Sequence, residues 1–178
     1  MSFKRLFLLF AFLFIFMLPA CKREAGDMNA GIRIIYLHHS TGRIVWEGKK
    51  NLLEKFFPAY DKPAIVKYLE KYDGKHGTHH RITSREYPAN APYGWQNYPY
   101  DYYNIWVKHG KQDYYLEEPT LNFLTAQYDV VVFKHCFPVS HISTGTSQGD
   151  PDSPEKSLAN YKIQYQLLKE KMRSYPDT

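Results

Sequence analysis

The chain has 178 residues, a formal net charge of +5, and a composition that is 44% hydrophobic and 23% charged. This composition is typical of a globular protein of about one domain, and it excludes a disordered or collagen-like chain. Two cysteines are too few for a disulfide-rich scaffold or for a zinc module with four cysteine ligands. Aromatic residues make up 17% of the chain and include 16 tyrosines, which favours a surface that binds other molecules.

The first 20 residues have the pattern of a secretory signal peptide. Lys4 and Arg5 precede an apolar run over residues 6–16, which is shorter than the roughly 20 residues of a membrane-spanning helix. The run is followed by Leu-Pro-Ala-Cys, ending at Cys21, which resembles the bacterial lipobox. We therefore expect residues 1–20 to be removed and Cys21 to be lipidated, giving an exported lipoprotein anchored to a membrane of the bacterial cell envelope.

The positive charge does not indicate a nucleic-acid-binding surface. Lys4 and Arg5 leave with the signal peptide, which brings the net charge of the remaining chain closer to neutral. Residues 21–31 are polar and small, and are interpreted as a tether to the membrane. We expect a membrane contact through Cys21 and no nucleic-acid partner.

The first half of the domain begins with a strand. Ile32–Leu37 is an apolar, β-branched run, typical of a buried strand of a parallel sheet. Helices are predicted over residues 51–57 and 63–72, with Pro63 at the first helical position. Residues 81–87 are predicted to form a second strand.

The second half repeats the alternation of helix and strand. After a loop, the pattern predicts helices over 99–109 and 119–127, a strand over 129–134, a loop over 137–154 and a long helix beginning at Ser153-Pro154-Glu155. Apolar residues at spacings of three and four predict the face of the long helix that packs on the sheet: Leu158, Tyr161, Tyr165, Leu168 and Met172.

Strands and helices in this order predict an α/β domain over residues 32–178. Such a domain is a three-layer sandwich with a mostly parallel sheet between helices. Because the long helix is followed by only a few residues, we expect the domain to be incomplete at its C-terminal end.

A serine follows the first predicted strand. The segment His38-His39-Ser40-Thr41-Gly42 lies where that strand ends, and ligands of open α/β sheets bind at the carboxyl ends of strands. Another strand end, Lys134-His135-Cys136-Phe137-Pro138, should lie beside it. Ser40 is a candidate nucleophile there, although serine at such a position is more often a turn residue or helix cap.

The chain resembles the SGNH (GDSL-type) hydrolases. The strand followed by His-Ser-Thr-Gly is similar to their first block, in which a serine nucleophile follows the first strand. Tyr93-Gly94-Trp95, residues 98–102, Trp106 and residues 130–138 also resemble secreted proteins of this type. The resemblance implies an SGNH or flavodoxin-like fold and ester hydrolysis without a cofactor, with Ser40 as nucleophile and the N–H groups of Ser40 and Gly94 facing the oxyanion.

The chain departs from the family pattern at two points. His38-His39 replaces the usual Gly-Asp before the serine, and a late Asp and His three residues apart are absent. Asp73 and His76 have that spacing but precede the second strand, so we interpret them as a coincidence. The general base for Ser40 is therefore expected beyond Thr178.

Metal binding is an alternative use of the histidines. His38, His39, His135, Cys136 and His141 are potential ligands near two strand ends. Adjacent strand residues such as His38 and His39 point to opposite faces, which fits poorly with one site. We expect no metal, although a metal-binding lipoprotein stays a third hypothesis.

The segment 87–115 concentrates aromatic rings that are able to stack on sugars while hydroxyl groups bind at the edges. The residues we expect to bind a ligand in this way are Tyr93, Trp95, Tyr98, Tyr100 and Trp106. Rings of the core and loop linings are the alternative explanation. The sequence thus predicts an esterase acting on acyl groups of a surface glycan or a small ester, or a noncatalytic glycan- or envelope-binding lipoprotein.

Overall fold

A computed structural model of the chain describes residues 31–49, 56, 61–94, 97–135, 141–145 and 148–175. The predicted signal peptide, Cys21 and all but the last residue of the tether lie outside these residues, as do Trp95, Cys136 and most of the helix predicted over 51–57. The chain from Gly31 onward forms one compact unit. None of the described helices combines the length and the apolar character needed to span a membrane.

The described chain contains both helices and strands. They are β1 (Ile32–His38), α1 (Thr41–Glu47), α2 (Ala64–His76), β2 (His80–Glu86), α3 (Pro99–Tyr102), which continues as a π-helical segment (Tyr103–Lys108), β3 (Tyr114–Tyr115), β4 (Glu118–Pro119), α4 (Leu121–Gln127), β5 (Val130–Phe133) and α5 (Leu158–Arg173). The three predicted strands are confirmed within a residue or two at each end.

The main sheet has three parallel strands in the order β2-β1-β5, with β1 at the centre. Ile32 pairs with His80 and His38 with Glu86, while Leu37 pairs with Phe133. All three strands therefore end at the same edge of the sheet. The protein is an α/β protein with a parallel sheet, and β3 and β4 form a separate antiparallel hairpin.

The two faces of β1 contact different helices because side chains alternate along a strand. Ile35 and Leu37 belong to the buried core, together with residues of the loop after β2, of α3 and its continuation, and of α4 and α5: Tyr87, Tyr102, Ile105, Trp106, Leu121, Leu124 and Leu168. On the other face, Tyr36 and His38 lie within 5.0 to 6.5 Å, between ring centroids, of each other and of Trp46 in α1.

The helix predicted from Pro63 is confirmed, but it is longer than expected. Pro63 is its N-cap and the helix continues to His76. Gly77 ends it with φ of 66°, a left-handed conformation that glycine adopts without steric cost.

The predicted start of the long helix is wrong. Helix α5 begins at Leu158, and its N-cap is Ser157, whose hydroxyl accepts a hydrogen bond from the Asn160 N–H. Residues 153–155 lie in the preceding loop because polar side chains of α5 bind this loop: Gln164 Nε2 donates to the carbonyl groups of Pro151 and Ser153.

The predicted packing face of α5 is also partly wrong. Leu168 is 1% exposed and Tyr161 is buried, as expected, but Leu158 and Tyr165 are 48% and 45% exposed. Asn160 and Gln164 occupy buried positions instead, since they hydrogen-bond the loop that packs beneath the helix.

Candidate functional site

The carboxyl edge of the sheet brings together the ends of β1, β2 and β5. Ser40 follows β1 and Lys134 follows β5, and the Lys134 Nζ donates to the Thr41 Oγ1 at 3.0 Å. Across β1, Arg43 Nη1 lies 3.7 Å from the Glu86 carboxylate at the end of β2. The adjacency of the Ser40 and Lys134 turns is as expected from the sequence.

Ser40 occupies the sharp turn between β1 and α1. Its backbone has φ of 46° and ψ of −112°, which is strained for a residue with a side chain, and it is exposed to solvent. The turn also needs Gly42, because a Cβ there would lie 2.5 Å from the His38 Cβ. Only His39 and Ser40 lie between the end of β1 and the start of α1. Ser40 therefore stays at the carboxyl end of the central strand.

Both histidines before Ser40 are buried. The His39 Nε2 lies 2.5 Å from the Pro88 carbonyl oxygen, and the His38 ring is close to those of Tyr36 and Trp46. Desolvation lowers the pKa of both imidazoles. Within the described chain, the Ser40 hydroxyl has no hydrogen-bonding partner, so neither ring is placed as its base.

His135 lies just beyond β5 in an aromatic enclosure. Its ring makes edge-on contacts with Tyr102, Phe133 and Tyr165, at centroid distances of 4.6, 5.9 and 5.2 Å. Neither ring nitrogen has a hydrogen-bond partner among the described residues. Desolvation lowers the pKa of His135 to about 4, with a smaller contribution from Lys134, so the ring is neutral at pH 7.

Asp73 pairs with a histidine, but with His80 rather than His76. Its Oδ1 lies 2.5 Å from the His80 Nδ1, and its carboxylate also accepts from the His80 N–H and the Thr78 hydroxyl. Desolvation alone would raise the pKa of Asp73, but these hydrogen bonds outweigh it and hold the pKa at about 2.

This pair lies at the amino edge of the sheet, because His80 begins β2 and pairs with Ile32. The length of β1, about 20 Å at 3.3 Å per residue, separates that edge from Ser40. Asp73 and His80 therefore connect the end of α2 to β2. They are too far from Ser40 to act as its general base.

The histidines do not converge on a metal centre in the part of the chain that is described. That part holds no group of three or more His, Cys, Asp or Glu side chains placed to bind one ion. His38, His39 and His135 lie at the carboxyl edge and His141 is exposed, while Cys136 lies outside the described residues.

The predicted aromatic residues have different surroundings. Tyr93, Tyr98 and Tyr100 line an open groove of about 220 Å³, with Gly94 in its wall. Trp106 has 0% exposure and packs in the core, where its Nε1 donates to the Tyr87 hydroxyl, so it presents no surface to a ligand. Trp95 lies outside the described residues.

The floor of the groove contains two polar residues that sequence reasoning did not select, Asp101 and Asn104. Asp101 is 3% exposed; its Oδ1 accepts from the Tyr93 hydroxyl at 3.0 Å and its Oδ2 from the Tyr98 N–H at 3.0 Å. Desolvation outweighs these bonds and raises the pKa of Asp101 to about 6. A signal was present in the sequence, because an acidic residue three positions after a helix N-cap commonly bonds the N-cap N–H.

Ser40 is not among the described residues that line the groove. The chain was also compared with protein-family models, curated proteins and solved structures, and none of them matches it.

Proposed function

We propose that the protein is a serine-dependent ester hydrolase of the SGNH type, with Ser40 as its nucleophile. In this proposal it is an exported lipoprotein, anchored through Cys21, and it removes acyl groups from a surface glycan or a small ester. The observation that carries the proposal is the conformation of Ser40, an exposed residue held at φ of 46° where the central strand of a parallel sheet meets a helix.

Backbone strain of this kind costs about 1–3 kcal/mol and persists where the surrounding structure enforces it. The contact of Gly42 with His38 leaves little space for the turn to relax. The strained turn points a small hydroxyl side chain into solvent at the edge where α/β sheets bind ligands. These features suit a nucleophile better than a helix cap, because the Ser40 side chain makes no capping hydrogen bond.

The order β2-β1-β5 and the contacts of helices with both faces of β1 are consistent with the three-layer SGNH or flavodoxin-like arrangement that the resemblance implies. The serine then lies after the central strand, in agreement with the place of the nucleophile in that family.

In the proposed reaction, the Ser40 Oγ attacks the ester carbonyl carbon and its proton passes to a general base. The carbonyl oxygen becomes an oxyanion, which the Ser40 N–H stabilises; Gly94 stays the prediction for a second donor. The C–O bond to the alcohol breaks, the alcohol leaves with the proton, and water then hydrolyses the acyl-serine in a second round.

Lys134 supplies positive charge next to this turn. Its ammonium group bonds the hydroxyl of Thr41, the residue after Ser40, and the developing oxyanion is favoured by a nearby cation. The general base is assigned outside the described residues, since no described histidine bonds Ser40.

The test is hydrolysis of an aryl acetate by the full-length protein. Wild type should turn over the ester, Ser40→Ala should lose activity by several orders of magnitude, and Ser174→Ala, which changes an exposed serine at the end of α5, should not. Inactive wild type, or activity that survives Ser40→Ala, would contradict the proposal.

Strong Ser40-dependent activity in the 178-residue chain itself would mean that one of its own histidines, with His39 or His135 the first to examine, acts as the base. The assignment of the base would then be wrong, while Ser40 would stand as the nucleophile.

A further inference from the structure

The groove beside α3 combines aromatic walls with a buried acceptor at its floor. Tyr93, Tyr98, Tyr100 and Tyr115 provide rings, and Asp101 and Asn104 provide polar atoms. At about 220 Å³ the groove is smaller than the roughly 300–1,000 Å³ of pockets for drug-sized ligands, so it suits a single small ring.

The floor is preorganised by a chain of hydrogen bonds. Asn104 Nδ2 donates to the Tyr93 hydroxyl at 3.1 Å, and that hydroxyl donates to Asp101. Asp101 also accepts hydrogen bonds from the backbone of Tyr98 and Asn97. With the Tyr93 hydroxyl these bonds occupy three acceptor positions, and a carboxylate has about four. One acceptor position therefore remains for a donor from a ligand, and a hydroxyl group is such a donor.

Two of the rings are fixed in place. Tyr115 stacks on His109 at a centroid distance of 3.6 Å with the planes 5° apart. Tyr98 donates from its hydroxyl to the Pro154 carbonyl, and the Lys156 ammonium lies 4.8 Å above its ring. Tyr98 is 4% exposed and supports the wall, whereas the partly exposed Tyr115 and Tyr100 offer ring surface on which a flat apolar surface stacks.

The rim of the groove holds two unusual backbone conformations. Gly94 has φ of 91°, and a side chain at this position would project into open space. Leu116, which is nearly half exposed, has φ of 46° in the tight turn between β3 and β4, a position where glycine or asparagine is normally preferred. An exposed leucine held at this cost, next to a polar floor, provides an apolar edge for a ligand.

From these features we propose that the groove binds the ring of a neutral pyranoside. The apolar face of the sugar stacks on the Tyr100 side of the groove, and one of its hydroxyl groups donates to Asp101. This site acts independently of Ser40, so it holds whether or not the protein hydrolyses esters.

An ammonium ligand is the main alternative occupant, because tyrosine rings and a carboxylate also bind cations. The ammonium group of Lys156 already covers one of these rings, and a second cation beside it would be repelled. This charge favours a neutral ligand.

The experiment is saturation-transfer NMR with the 178-residue chain and its Ser40→Ala variant. The probes are the neutral methyl glycosides of glucose, galactose, mannose and N-acetylglucosamine, with tetramethylammonium as the cationic probe. At least one glycoside should bind equally to both proteins, and competition should give its dissociation constant.

The variant Tyr100→Ala removes a partly exposed wall and should weaken binding about tenfold, which corresponds to the loss of one stacked ring. Asp101→Asn should weaken it similarly, whereas Tyr68→Ala, an exposed tyrosine on α2, should leave it within about twofold. Absence of binding by every glycoside, equal binding by Tyr100→Ala and Tyr68→Ala, or binding of tetramethylammonium alone would each overturn the proposal.

Discussion

The serine turn and the aromatic groove each hold a polar side chain, but they differ in its exposure and in its hydrogen bonds. Ser40 is exposed, strained in its backbone and without a hydrogen-bonding partner among the described residues. Asp101 is almost fully buried and accepts hydrogen bonds from Tyr93 and from the backbone of its own helix start. The backbone strain of the turn destabilises the protein while it exposes the Ser40 hydroxyl. The hydrogen bonds of Asp101 stabilise the protein and also form the floor of the groove. Changes in the two regions should therefore alter the free energy of unfolding in opposite directions.

The largest expected effect on stability at a single pH is at the groove. Asp101→Asn replaces an acceptor oxygen by an amide donor, which leaves the Tyr93 hydroxyl or a backbone N–H without its buried partner. We expect a loss of about 2 kcal/mol in the free energy of unfolding, measured by urea denaturation. Glu70→Gln is the control, because this exposed carboxylate pairs with the exposed Lys62 at 2.7 Å and should change stability by less than about 0.5 kcal/mol. Equal effects of the two variants would show that the floor network is not stabilising.

The dependence of stability on pH gives a sharper contrast. The pKa of Asp101 is raised to about 6, so between pH 4 and 6 the folded state holds a proton that the unfolded state has lost, and this contribution to stability is lost as pH rises. The pKa of His135 is lowered to about 4, so in the same range the unfolded state binds the extra proton, and this contribution is lost as pH falls.

In wild type the pH dependences of stability due to Asp101 and to His135 have opposite signs. Each variant should remove one of them and leave the other. Relative to wild type, Asp101→Asn should show stability that rises more steeply from pH 4 to 6. His135→Phe should show stability that falls over that range, with each difference amounting to about 3 kcal/mol at full extent. Denaturation midpoints measured at half-unit pH intervals test this, and parallel profiles in all three proteins would show that neither group titrates as the structure indicates.

The smallest expected effect is at the serine turn, and it has the opposite sign. Ser40→Gly should stabilise the protein by about 1 kcal/mol, because glycine adopts the positive φ of this turn without steric strain. The change Ser153→Gly, at a partly buried serine in the loop before α5, is the control, and it should be neutral or slightly destabilising. A thermal melting temperature that falls for Ser40→Gly would mean that the turn is not strained in solution.

Much of the fold was predictable because the strands are continuous apolar runs. The runs at Ile32–Leu37 and 129–134 predicted two strands of a parallel sheet, which the structure contains. They also predicted that Ser40 follows the carboxyl end of the first strand. The start of α5 was not predictable by the same reasoning, since Ser153-Pro154 carries the usual signals of a helix start, and buried hydrogen bonds from Asn160 and Gln164 hold this segment as a loop instead.

The groove was only half predictable, for a related reason. Tyrosine density indicated a surface but could not separate the lining rings from Trp106, which packs between Tyr87 and Phe133 in the core. In the sequence, Asp101 looked like an ordinary charged residue in the first turn of the helix predicted over 99–109. Its role depends on burial by segments distant in sequence, such as Tyr115 and Pro154, and that burial is a tertiary property.

The central claim is that Ser40 is a nucleophile, and the most direct measurement is its labelling by a fluorophosphonate. The reagent forms a covalent bond only with an activated serine, with loss of fluoride, and peptide mass spectrometry locates the adduct. In the full-length protein we predict one adduct, on the peptide that contains Ser40, and none in Ser40→Ala. An adduct on another serine, or an unlabelled protein that still hydrolyses aryl acetate, would contradict the account.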